Sequence, residues 1–199
     1  MSAKNLKEIM KLFLCLFLTL LSCKTNAQKY FPDYKEIISA EFPITNNIYP
    51  IATLDLSKKG INEKIHITYV YFNYNSDSTQ FLRKGDNPSN YSFQLLNTGL
   101  MMPLFTSKSL SIDESDVKYF NKSRRVFDST KQILNLALHI NYPNEPEWWQ
   151  SDETPENKKG KKFTFICQID MYAISKDDCR MFIFYDKDDK IIKNICQWD

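Results

Sequence analysis

Apolar and polar residues alternate most regularly in the last third of the chain. Phe163, Phe165, Cys167 and Ile169 fall on one side of an extended segment, which leaves Gln168 and Asp170 on the other. Side chains two residues apart share a face of a strand. The stretches 163–170, 180–186 and 191–198 therefore predict three strands joined by turns, as an antiparallel meander. A hairpin is predicted from 48–56 and 65–74, both rich in Ile, Val, Thr, Tyr and Phe, around the polar turn Ser57-Lys58-Lys59-Gly60. In its second arm Ile65, Ile67, Tyr69 and Tyr71 share one face while Val70, Phe72 and Tyr74 share the other, so both faces are expected to be partly covered. A further strand is predicted at 91–96, after the turn Gly85-Asp86-Asn87-Pro88.

Helical signals are fewer. Asp33, with Glu36 in the capping-box position and Ile37, Ile38 and Phe42 following, predicts a short helix that Pro43 ends. Ser111 with Glu114 predicts a second, running to about Phe120. Ser129 and Gln132 repeat that logic ahead of Ile133, Leu134, Leu136, Ala137 and Ile140, a third helix for which a strand is the alternative. Residues 143–162 form a polar connector holding Pro143, Pro146 and Pro155, acidic in its first half and lysine-rich at its end. The expected architecture is α+β: one sheet-rich domain over 33–199, mostly antiparallel, with a few short helices. No internal repeat or low-complexity tract interrupts it.

The apolar run 12–21 has neither strand nor helix periodicity. It follows Lys11, is about half the length a bilayer-spanning helix needs, and ends in Leu20-Leu21-Ser22-Cys23. A small residue before a cysteine, three positions after a leucine, is what the lipoprotein peptidase requires once diacylglycerol has alkylated the thiol. The segment resembles the signal of bacterial envelope lipoproteins. That resemblance implies a signal peptide over 1–22, Cys23 as the lipidated first mature residue, a tether over 23–32, and a membrane-anchored protein on the periplasmic side or the surface. Secretion after cleavage at Ala27 is the alternative. Met10-Lys11 followed by the apolar run is itself a complete signal, so translation starting at Met10 would leave the mature protein unchanged.

Charge narrows the function classes. The chain has 26 Lys and Arg and 24 Asp and Glu. Lys4, Lys7, Lys11 and Glu8 depart with the signal, so the remainder carries 23 of each sign. Balanced, interspersed charge supplies no basic patch for nucleic acid. Of the five cysteines, Cys15 lies in the signal and Cys23 at its end, leaving Cys167, Cys179 and Cys196. Two of these could pair in an oxidising compartment. Their wide spacing lacks the C-x-x-C knuckle of a zinc site, and buried structural thiols are the plainer reading. Asp186-Lys187-Asp188-Asp189-Lys190 alternates carboxylates, yet an EF-hand loop would need oxygen, Gly and Glu where Lys190, Ile191 and Gln197 stand. A hairpin turn is expected there. No cofactor, metal site or catalytic set is predicted. A histidine-based hydrolase acting on envelope material, using His66 or His139 beside a carboxylate such as Asp170, is carried as an alternative.

Trp148-Trp149, followed by Gln150, is the candidate for partner binding. Neighbouring side chains of an extended segment point opposite ways, so one indole can enter the core while the other faces a partner; alternatively both pin the connector. The succession Tyr142-Pro143, Pro146-Glu147-Trp148-Trp149-Gln150, Asp152-Glu153-Thr154-Pro155, the strand Phe163 to Asp170, Phe182-Ile183-Phe184 and Gln197-Trp198-Asp199 resembles the YwqG-like family, a bacterial domain of unknown biochemical function. The resemblance covers about 141–199 and has no counterpart in 30–130. It implies a sheet-rich α+β domain and transfers no catalytic residue. The expected function is a non-catalytic interaction domain held at the membrane by its lipid, with a protein or glycan partner. An immunity or inhibitor protein for a secreted toxin is a third reading.

Overall fold

A computed structural model describes residues 27–73, 75–111, 117–130 and 140–199. Among them the chain is sheet-rich, with two antiparallel sheets and few helices. The strands are β1 (Ala27–Tyr30), β2 (Ile48–Asp55), β3 (Lys64–Val70), β4 (Asn90–Leu95), β5 (Met101–Pro103), β6 (Ile140–Asn141), β7 (Thr164–Asp170), β8 (Cys179–Asp186) and β9 (Ile191–Trp198). The helices are α1 (Tyr34–Ile37) and α2 (Val117–Thr130). Three strands form one sheet in the order β1-β2-β3, and six form the other in the order β5-β4-β9-β8-β7-β6.

The expected hairpin is β2 and β3, joined by a 3-10 turn that closes on Gly60 at φ 70, a left-handed conformation glycine adopts without a Cβ penalty. Pro50 lacks an N–H and sits where the β2–β3 register shifts, which is how a proline fits a strand paired on both sides. The expected meander is β7, β8 and β9, and the Asp186-rich segment is the turn between the last two, with Asp186 accepting from the Asp188 N–H at 3.1 Å.

Three expectations change. The capping box of Asp33 and Glu36 is present, but α1 ends at Ile37 and not near Phe42. Ile38 turns extended and bridges Met101, and the Ser39 N–H donates to the Met101 carbonyl at 2.9 Å, so pairing with β5 wins over helix continuation. The second helix does not stop at Phe120: α2 runs on through Thr130. Within it, Ser129 and Thr130 donate back to the Val126 carbonyl at 3.0 and 2.8 Å. The third expected helix falls largely on 131–139, outside the described residues, while Ile140 belongs to β6. Finally, β7 shifts register between Phe165 and Cys167. One extra residue flips the alternation, so Ile166, Cys167 and Ile169 enter the larger core while Phe163 and Phe165 join the opposite face, the face of Gln168.

The larger core lies between the sheets. It takes Ile51, Leu54, Ile65 and Ile67 from the small sheet and Tyr91, Phe93, Met181, Ile183, Ile192 and Cys196 from the large one. Phe105 sits at its aromatic centre, edge-on to Phe42, Phe72, Tyr91 and Phe93 with centroids 4.9–6.2 Å away. A polar clamp crosses the layers: the buried Asn194 donates to the Thr68 carbonyl at 2.9 Å. The other face of the large sheet carries a smaller core of Phe163, Phe182, Phe184, Ile191 and Ile195. The connector closes over it.

Candidate functional site

Alternation along β8 and β9 presents Arg180, Phe182 and Phe184 beside Lys193, Ile195 and Gln197 on that outer face. Trp148 lies flat on it. Its ring is stacked at 15° on Phe184 with centroids 5.8 Å apart, and tilted on Phe182 at 4.4 Å. Trp149 turns the other way, is 36% exposed, and carries the Arg180 guanidinium 4.6 Å over its ring. The two indoles therefore differ: Trp148 packs on the sheet, and Trp149 is left partly exposed over Arg180. Gln150 is also exposed, and its amide donates to the Trp198 carbonyl at 2.7 Å.

Two buried glutamines hold this segment. Gln197 accepts from the N–H groups of Trp149 and Gln150 at 2.9 and 3.1 Å and donates to the Ser151 carbonyl and the Glu153 carboxylate at 2.9 and 3.1 Å. Gln168 accepts from the Glu147 N–H at 3.0 Å and donates to the Glu147 carboxylate at 2.6 Å. Both are 1% exposed. A buried amide left without partners costs about 1–3 kcal/mol, so each glutamine needs the connector as much as the connector needs it. Arg180 adds a bond to the Glu147 carbonyl at 3.2 Å and an ion pair with its carboxylate at 3.6 Å. The sequence marked Gln168 as facing away from the core; the clamp it makes required the fold.

Beside the apolar patch lies a charge pair that sequence reasoning missed. Lys193 is bonded to Asp86, each 5% exposed, and Arg83 sits 5.0 Å over the Phe163 ring. Burial pulls the Lys193 ammonium below its ordinary range, an effect the Asp86 carboxylate opposes. A strand residue flanked by Ile192 and Asn194 gave no sign that its partner would come from a turn over a hundred residues earlier.

The remaining candidates are dispersed. Cys167, Cys179 and Cys196 are buried free thiols. His66 is engaged on both sides, with Nε2 donating to the Gly99 carbonyl at 3.0 Å and Nδ1 accepting from Thr53 Oγ1 at 2.9 Å. That arrangement suits a neutral imidazole with its proton on Nε2, and burial lowers its pKa from the ordinary value. Asp170 accepts from the Tyr172 N–H at 3.2 Å and caps the 171–173 turn. His139 and Cys23 lie outside the described residues. Among the described residues no group of three or more His, Cys, Asp or Glu could hold a metal ion, and no helix is long and apolar enough to cross a membrane. No family model, curated protein or solved structure matches this chain.

Proposed function

We propose that the chain is an envelope lipoprotein, lipidated at Cys23, whose residues 33–199 form a single α+β domain of YwqG-like type. In this reading it acts as a non-catalytic binding module for a protein or glycan partner. The observation that carries it is the division of the tryptophan pair. The connector is fastened through Trp148, Gln168 and Gln197, while Trp149 stands partly exposed on a guanidinium with the exposed Gln150 beside it. Tryptophan and arginine dominate the energetics of interaction surfaces because a rigid aromatic plane and a weakly hydrated cation lose little on being covered. The hydrolase alternative has less support at His66, whose two ring nitrogens are both occupied by groups that stabilise the fold.

Two measurements test the parts separately. Palmitate labelling of the expressed full-length chain should be lost in Cys23→Ala; an unlabelled wild type removes the lipid anchor from the reading. Capture from envelope extract should be strong with the wild type and reduced at least tenfold with Trp149→Ala, whose melting temperature is checked in parallel. Equal capture by both moves the binding surface elsewhere. Tight one-to-one capture of a secreted toxin would turn the reading toward an inhibitor.

A further inference from the structure

Three buried thiols leave three pairings, and the sheet separates them. Cys167 stands on β7 opposite Ile183. Cys179 opens β8 opposite Trp198, and Cys196 on β9 is opposite Met181, so these two are diagonal neighbours on one face of adjacent strands. The neighbouring Cys179 thiol and burial together hold the Cys196 thiol well above its ordinary range. We propose that Cys179 and Cys196 are a site of oxidation to a cross-strand disulfide, with Cys167 remaining a core thiol.

Two features make closure feasible. Diagonal neighbours are commonly further apart than a disulfide tolerates, so some backbone movement is needed. Cys179 is the first residue of its strand and follows a bend in which Lys176 adopts φ 70, while the last backbone bond of the ladder, from the Asp199 N–H to the Asp178 carbonyl, is long at 3.4 Å. A strand end held this loosely can shift toward its neighbour. Cys196 lines a small cleft with Tyr69, Tyr71, Pro88 and Trp198 that has room for about one water, so a bulkier oxidant reaches the pair only when this strand end opens.

The oxidant is an external disulfide, either a small molecule or a thiol-disulfide exchange protein. One cysteine thiolate attacks a sulfur of that disulfide and expels the first external thiol, leaving a mixed disulfide. The second cysteine, also deprotonated, attacks the protein sulfur of the mixed disulfide and expels the other external thiol. The protein loses two thiol hydrogens and two electrons, and the external disulfide is reduced to two thiols. In the cell this step rests on the export proposed above, because the cytoplasm keeps thiols reduced.

The test uses the full-length chain, purified reduced, incubated with oxidised glutathione, then alkylated under denaturing conditions and mapped by mass spectrometry. The expected product is a linked peptide pair joining Cys179 and Cys196, with Cys167 alkylated, reversed by dithiothreitol, retained in Cys167→Ser and lost in either Cys179→Ser or Cys196→Ser. Alkylation of all three thiols, or a link that includes Cys167, overturns the proposal. The same mapping on protein isolated from cells separates the two readings: a link formed in glutathione but missing from cell-derived protein upholds the pair and overturns the export.

Discussion

His66 and Lys193 show how single polar side chains are held where water is scarce. Burial disfavours the charged imidazole, so its pKa lies below the unfolded value of about 6.5. The folded state therefore binds fewer protons than the unfolded one below that pH. The stability this histidine contributes is complete above about pH 6.5 and is lost as pH falls through the folded pKa. Urea midpoints measured from about pH 7.5 to about pH 5 should fall in the wild type, and the fall should be shallower in His66→Gln. Lys193 is the opposite case, a buried charge kept by its partner Asp86. Lys193→Met strands the carboxylate and should cost about 3–5 kcal/mol in chemical denaturation. The double variant Lys193→Met/Asp86→Leu should recover most of that loss, since two apolar side chains leave no charge behind.

At the level of elements, the connector behaves as a strap. It has almost no regular secondary structure, yet its backbone donors are met by Gln168 and Gln197 and its one packed indole covers Phe182 and Phe184. Its anchorage and its exposed surface thus reside in adjacent residues. Trp148→Ala should destabilise the protein by about 3–5 kcal/mol, the range for truncating a packed aromatic. Trp149→Ala should cost no more than about 1 kcal/mol, the scale of its cation–π contact with Arg180 at a partly exposed site. Equal losses in thermal unfolding would mean that the two indoles do not divide as the geometry indicates. The register shift in β7 belongs to this scale as well. Strict alternation across 163–169 predicted one face for Phe163, Phe165, Cys167 and Ile169, and a single bulge assigned the phenylalanines to the outer core.

Across the whole molecule the two sheets share one buried cluster, and Phe105 touches aromatic residues contributed by segments from Phe42 to Phe93. A cluster of this kind couples the layers. Far-UV and near-UV circular dichroism should report coincident unfolding transitions, because neither sheet buries its inner face without the other. Phe105→Ala should lower stability by about 3–5 kcal/mol and leave the transitions coincident. Separate transitions would instead describe two independently stable units. The outer core under the connector is a smaller, separate cluster, so partial opening should begin there. Hydrogen exchange at Trp149 and Gln150 should then run ahead of exchange in β8 and β9.

The local elements were readable from the residues alone: the β2–β3 hairpin, the β7–β9 meander, the Asp33–Glu36 cap and the Asp186 turn. Each follows from residues within a few positions of one another, through side-chain periodicity, capping and turn chemistry. That neighbouring tryptophans can point opposite ways was readable for the same reason, but the sequence also left open that both pin the connector, and which of the two would pack carried no signal. Tertiary structure decided the rest. The end of α1 at Ile37 depends on Met101, the pairing of Lys193 depends on Asp86, and the contact between Cys179 and Cys196 depends on the register of two strands. Those outcomes rest on partners far away in the chain, whose approach is selected by the burial of two sheets against each other and carries no local signature.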